Sequence, residues 1–160
     1  MSIKLKKIDT LENEINFLRS EKKTIGFANG CFDIIHKGHL KLLSESKEYC
    51  DFLIVGLNSD TSIRKLKGAS RPVDNINTRI KNLSLLKEVD SIIVFSSDTP
   101  LELIKKIKPN YLFKGSDYEN KTIIGADEVI KNDGKVILIN ILDGFSTTSI
   151  INNKKNYFLV

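Results

Sequence analysis

Along the chain, short apolar runs alternate with longer stretches in which apolar residues recur at helical spacing. Five runs, TIGFA (24–28), DFLIVGLN (51–58), SIIVF (91–95), NYLFKG (110–115) and KVILIN (135–140), are rich in β-branched and aromatic residues and end at turn residues. Each predicts a strand. None shows strict polar–apolar alternation, which suits strands covered on both faces of a parallel sheet. Helices are predicted over 38–49, 76–87, 100–108 and 123–132, with a leading helix over 10–20 and a closing one after Ser146. Thr99-Pro100 joins a capping residue to a proline at the first helical position, and Asp133-Gly134 reads as a stop. Strand and helix in alternation predict an α/β fold: a doubly wound, Rossmann-like sheet of five mainly parallel strands with flanking helices. Such sheets bind ligands at the carboxyl ends of their strands, where strand order reverses. The segment RKLKGASRPVDN (64–75) is the one long loop predicted inside this pattern, and long loops in compact domains are often functional.

Composition narrows the picture. The 160 residues, 41% hydrophobic and 28% charged, suit a single domain over 1–160 with a full core and are too apolar for a disordered chain. The net charge of +5 is compatible with an anionic partner. Lysines such as Lys4, Lys22, Lys105 and Lys154 are spread along the chain, as on solvated faces. Cys31 and Cys50 form neither a disulfide framework nor a C-x-x-C motif. The start MSIKLKKIDTLENEINFLRSEKK lacks the apolar run of a signal peptide, and no segment is long and apolar enough to span a membrane. A cytoplasmic protein without a membrane partner is expected. Nucleic acid is not an expected partner either, because no anticodon-binding domain or aromatic RNA-binding motif is present.

The chemistry concentrates in ANGCFDIIHKGH (28–39), which holds both histidines of the chain, three residues apart around a glycine. The first predicted strand ends near Ala28, Asn29-Gly30 turns the chain, and Gly38-His39 opens the next helix. His36 and His39 are therefore expected at a helix N-terminus, where free N–H groups and the helix dipole favour an anion. Gly30 and Gly38 allow close approach to backbone. Two imidazoles facing one anion suit charge developing on a transferring phosphoryl or nucleotidyl group. A zinc pair lacks a credible third ligand, since Cys31 and Asp33 share the same loop. A purely structural corner is the other reading of this spacing.

GCFDIIHKGH resembles the Gly-x-Phe-Asp-x-x-His-x-Gly-His signature of the cytidylyltransferase-like nucleotidyltransferases. The form NGCFD is most similar to the adenylyltransferase domain of ADP-heptose synthases. VGLNSD (55–60), LKGASRPV (66–73), DTP (98–100), FKGSDY (113–118), GADEV (125–129) and DGFSTTSII (143–151) follow in family order, so the resemblance covers about residues 24–151. It implies that a sugar 1-phosphate attacks the α-phosphorus of ATP in line and releases pyrophosphate, with Mg²⁺ accompanying ATP and no direct protein ligand to the metal. It implies that His36 and His39 bind the triphosphate and stabilise the transition state, and that Lys67 reaches the phosphates. Nucleotide contacts are implied for Asn29, Gly30, Cys31, Phe32, Gly38, Asn58, Asp60, Lys114, Gly115 and Asp117, the last toward ribose hydroxyls. Ser146, Thr147 and Thr148 are implied to close over the β- and γ-phosphates. Arg64, Arg71 and Arg79 are secondary candidates for phosphate or substrate, Arg79 alternatively pairing with an acidic side chain. Asp33 is expected to order its loop, because a phosphate nucleophile is already ionised and needs no general base. Two departures stand out. Ser116 replaces the second glycine of the Lys-Gly-Gly-Asp-Tyr form, and Leu142-Asp143-Gly144 lacks the arginine of glycerol-phosphate enzymes.

The function so implied is an adenylyltransferase that joins ATP and D-glycero-D-manno-heptose 1-phosphate into ADP-heptose, for lipopolysaccharide or surface-glycan synthesis. Alternatives are a cytidylyltransferase acting on glycerol 3-phosphate or another alcohol phosphate, an FAD-forming adenylyltransferase, and a catalytically inactive nucleotide-binding module. The resemblance further implies a homodimer and a separate sugar kinase. The apolar tail 157–160 is expected to pack on the domain or on a second subunit.

Overall fold

All five predicted runs form strands, and they lie side by side in one sheet, every neighbouring pair parallel. The computed structural model describes residues 4–118 and 121–141, and the backbone of 157–159. Its elements in chain order are α1 (Ile8–Ser20), β1 (Ile25–Gly30), α2 (Lys37–Tyr49), β2 (Phe52–Asn58), α3 (Asp60–Lys67), α4 (Ile76–Ser84), β3 (Ser91–Phe95), α5 (Leu101–Ile107), β4 (Tyr111–Gly115), a 3₁₀ turn (Ser116–Tyr118), α6 (Ala126–Lys131), β5 (Lys135–Ile139) and β6 (Tyr157–Leu159). The strand order is β3-β2-β1-β4-β5-β6. Order therefore reverses between β1 and β4, the crevice where doubly wound sheets place their ligands.

The apolar runs lack alternation because both faces are covered. Phe27, Ile54, Leu112, Val136 and Leu138 pack on one side with Leu11 and Ile15 of α1, Ile104 of α5 and Val129 of α6. Their neighbours in sequence, Ala28, Val55, Phe113, Ile137 and Ile139, pack on the other side with Leu43 of α2 and Leu83 of α4. Successive side chains of each strand thus enter different cores.

The structure corrects several boundaries. The sheet has a sixth strand: the backbone of the tail pairs with β5 in register Val136↔Tyr157 to Leu138↔Leu159, so the tail joins this domain's own sheet. The predicted loop 64–75 is helical up to Lys67 and irregular only from Gly68, whose φ of +101° ends α3. This helix was missed because DTSIRKLK is mostly polar and buries only Ser62 and Ile63; the Ser59 hydroxyl, accepting from the Ser62 N–H at 3.1 Å, starts it. Helix α4 stops at Ser84 and α6 starts at Ala126, after Gly125 with φ +88°, so both are shorter than predicted. Pro100 precedes α5 instead of opening it. The closing helix expected after Ser146 lies outside the described residues.

Candidate active site

Strand β1 delivers the chain into the loop 31–36 at the β1/β4 crevice. Phe32 (φ +46°) and Ile34 (φ +52°) take the left-handed conformation, which costs a non-glycine residue on the order of 1 kcal/mol or more. Asp33, between them, holds this shape. Its carboxylate accepts from the Val73 N–H (2.9 Å), the Asp74 N–H (2.8 Å) and Arg71 Nε (2.9 Å), with the side chain only 1% exposed. Burial alone raises the Asp33 pKa, but the backbone bonds from Asp74 and Val73, with Arg71, outweigh it and leave the group below its ordinary value. One carboxylate so ties the loop after β1 to the loop before α4.

His36 is the N-cap of α2. Its Nδ1 accepts from the Gly38 N–H at 3.1 Å, while its own backbone N–H donates to His39 Nδ1 at 3.3 Å. The rings stack with centroids 3.9 Å apart and planes at 24°. With both Nδ1 atoms accepting, the neutral tautomers carry their protons on Nε2, and neither Nε2 has a partner among the described residues. Burial, then the charges of His36 and Lys67, lower the pKa of His39 to about 4, so this ring is neutral at physiological pH. At Gly38 a Cβ would stand 3.0 Å from the His36 ring, so a larger residue there would push that ring aside.

A cavity of about 290 Å³ opens at this point. Asn29, Gly30, Cys31 and Phe32 line it from β1 and the following loop, and His36, Gly38 and His39 from the start of α2. Lys67 reaches it from the end of α3. Lys114, Gly115 and Asp117 line it from β4 and the 3₁₀ turn. Lys114 is 7% exposed and donates to Asn29 Oδ1 at 2.7 Å, bridging β4 to β1. Burial lowers its pKa to about 8, partly offset by Asp117. At Gly115 a Cβ would stand 2.6 Å from Asp117 Oδ1 and 2.7 Å from Ile141. The cavity also uses Leu42, Phe113, Tyr118 and Ile141, which the sequence reading did not single out. Tyr118 alone carried a signal, standing directly after KGSD; the aliphatic wall looks like any core.

Other predicted residues are placed elsewhere. Arg79 is fully buried, and its guanidinium donates to the carbonyls of Cys31 (2.8 Å), Asn58 (2.7 Å) and Asp74 (3.1 Å) and to Asp60 Oδ1 (2.6 Å). Asn58 Nδ2 donates to Ser62 Oγ at 2.9 Å. Arg79, Asn58 and Asp60 thus staple the end of β2 to the cavity loop and do not line the cavity; a burial pattern, invisible in a string, separates them from it. Arg71 is engaged with Asp33, and Arg64 lies exposed on α3. Ser116 is fully buried, and its hydroxyl has no hydrogen-bond partner among the described residues. Ser146, Thr147 and Thr148 lie outside the described residues. A larger apolar groove of about 690 Å³ runs along β3, but its charged lining is Lys6, Lys7, Lys106 and Glu102, with no histidine.

Known proteins are similar to this chain in sequence and in fold. The bifunctional protein HldE of Rhodopseudomonas palustris (strain BisB5) is 50% identical over 133 residues, 83% of this chain and 27% of that protein. HldE of Nitrobacter winogradskyi is 48% identical over 141 residues, 88% of this chain and 29% of that protein. The chain thus spans under a third of the length of these relatives. Among solved structures, the lipopolysaccharide core biosynthesis protein of Thermoplasma volcanium superposes with a TM-score of 0.59 at 29% identity, covering 75% of this chain and 97% of that one. A pantoate-beta-alanine ligase of Francisella tularensis, at 18% identity and TM-score 0.62, covers 84% of this chain and 65% of its own, and shares the fold. The cytidylyltransferase-like family profile matches residues 27–153, which include the whole cavity and the paired histidines, and the chain belongs to that family of nucleotidyltransferases.

Proposed function

We propose that this domain transfers the adenylyl group of ATP to D-glycero-D-manno-heptose 1-phosphate, giving ADP-heptose and pyrophosphate for lipopolysaccharide or surface-glycan synthesis. The observation that carries the reading is the stacked His36–His39 pair, with two free Nε2–H donors at the start of α2 in a cavity that also holds Lys67 and Lys114. The identity to bifunctional HldE proteins points to the heptose substrate.

An in-line transfer needs two polyanions aligned and the growing charge on phosphate oxygens stabilised, with little covalent chemistry. The sugar phosphate is ionised at neutral pH, so no general base is called for. The neutral His39 donates from Nε2 without bringing a charge that must be desolvated, and His36 presents its own Nε2 beside it. Free N–H groups of the first turn of α2 add to the same field. Lys67, at the end of a helix that leads into the loop from Gly68, lines the same cavity, and its charge acts on His39. Mg²⁺ enters as part of the nucleotide substrate. The acceptor is a phosphate monoester, so a phosphorylation of the sugar, as by a sugar kinase, precedes this reaction.

The test is pyrophosphate release with Mg²⁺ and the heptose 1-phosphate, ATP and CTP compared in parallel. Release with ATP and an ADP-sugar product is expected. Turnover with CTP only, or with glycerol 3-phosphate only, overturns the substrate assignment and leaves the reaction class.

A further inference from the structure

Lys114 is the cation in the cavity whose surroundings are least complete. It is 7% exposed, yet among the described residues no carboxylate pairs with it: Asn29 Oδ1 takes one donor at 2.7 Å, and the Tyr118 ring lies 5.0 Å from Nζ. Lys121, itself exposed, stands 5.6 Å from the same ring. Asp117 acts on Lys114 through its charge, without a hydrogen bond or ion pair among the described residues. An ammonium has three donors and no acceptor, so at least one here has no hydrogen-bond partner among the described residues. A buried charge left in that state destabilises the fold and is retained where an anion completes it.

We infer that Lys114 binds the phosphate of the acceptor, the group that attacks the nucleotide, and that Asn29 holds the ammonium in place for it. The inference rests on the nucleotidyl transfer proposed above. In that reaction the incoming and leaving oxygens lie on opposite sides of the transferred phosphorus. The phosphate-binding side chains of the cavity come from two different parts of the fold. His36, His39 and Lys67 form one group: the histidines stack, and the charge of Lys67 acts on His39. Lys114 comes from β4 and is bonded to Asn29 of β1. The first group, with the N-terminus of α2, suits the nucleotide's phosphates. The acceptor phosphate, a compact dianion, needs a cation of its own, and Lys114 is the cation that β4 brings into the cavity. Its rigid placement on a strand, bonded to a residue of the neighbouring strand, gives the attacking oxygen a defined position.

The experiment is steady-state pyrophosphate release by Lys114→Met with the heptose 1-phosphate varied at saturating Mg²⁺ and ATP, beside calorimetric binding of a non-hydrolysable ATP analogue. The KM for the sugar phosphate is expected to rise about 30-fold or more, the effect of removing one partner of a buried charge pair. The analogue's Kd is expected to stay within a factor of about three, since its phosphates are assigned to the other group. Weaker analogue binding with an unchanged sugar-phosphate KM overturns the inference, and so does an unchanged KM with unchanged binding. A second measurement needs no variant. In the native protein, kcat/KM for the sugar phosphate should fall as pH passes through about 8, where free Lys114 loses its proton, while analogue affinity does not. Asp117, Tyr118, Lys67 and the two histidines face the same cavity, and the analogue arm controls for their titration. An acceptor profile that stays flat up to the ordinary lysine range overturns the inference. Native protein inert with every phosphorylated acceptor would instead remove the proposed function itself, a result distinct from native turnover with an unaffected variant.

Discussion

The backbone N–H of His36 donates to Nδ1 of His39, and the two rings stack 3.9 Å apart. Each histidine therefore presents its Nε2 edge because the other, or the first turn of the helix, occupies Nδ1. The pair is a single donor unit, and its two members should fail together.

His36→Asn keeps a capping side chain at the head of α2, and His39→Asn keeps a polar group. Each should lower kcat by about 10²–10³-fold, the usual cost of one transition-state donor, and the double variant by much less than the product. Thermal unfolding should change little for His36→Asn, since asparagine is a good N-cap. Pyrophosphate release and calorimetry on the same preparations check this. A rate loss that tracks the unfolded fraction would reduce the pair to a structural corner.

The pH dependence of stability carries a second signature. His39 has a folded pKa lowered to about 4 from 6.5, so the unfolded chain binds the proton more readily. The sign follows: stability present above about pH 6.5 is lost progressively as pH falls toward 4. His39→Asn should flatten that part of a Tm-against-pH profile. An identical slope in both proteins would contradict the burial and charge environment described for the ring.

Asp33 has linkage of the same sign in a more acidic range. Its folded pKa is lowered, so its contribution is complete above the ordinary carboxylate value and disappears as pH falls through the folded one. Asp33→Asn leaves Arg71 without its charge partner and cannot reproduce all three accepted bonds. A loss on the order of 2–4 kcal/mol is expected in denaturant unfolding. Amide exchange should quicken at Val73 and Asp74 before it does in β1, because those two N–H groups lose their acceptor. Unchanged protection there would count against the strapping role.

Arg79 tests the distinction between supporting the site and lining it. Arg79→Lys removes the planar fork that spans Cys31, Asn58, Asp74 and Asp60 and leaves buried carbonyls unsatisfied. Destabilisation on the order of 3 kcal/mol or more is expected, with the KM for ATP in the remaining folded protein little altered. A stable variant with a selectively raised KM for ATP would place Arg79 on the nucleotide after all.

Lys114 predicts a gain in stability with a loss of function. Its pKa is lowered to about 8 from 10.5, so the folded state binds the proton less well, and its stability deficit is largest below pH 8. Lys114→Met should unfold at a higher temperature at pH 7, by about 3 °C or more, while turning over sugar phosphate poorly. A lower Tm would mean that the Asn29 bond and the Tyr118 contact outweigh the buried charge.

The strands were legible because a strand buried on both faces leaves a continuous apolar run, and no other element of this length does so. SIIVF, for example, begins and ends where β3 does. The short polar helix α3 was not legible, because a helix that buries two residues leaves almost no periodic signal. Of the site, the sequence by itself determined the motif: two histidines bracketing a glycine at the head of a helix, with KGSDY and a basic segment further on. It could not sort arginines and acids of similar spelling into separate roles. Only the tertiary structure decided that Arg79 and Asp60 satisfy each other beneath the cavity, that Asp33 clasps the loop before α4, and that Lys114 stands in the cavity nearly buried with an incomplete set of partners. The physical reason is that local pattern governs which backbone hydrogen bonds form. The charge and availability of a side chain depend instead on burial and on neighbours brought from distant parts of the chain, such as the 85 positions that separate Lys114 from Asn29.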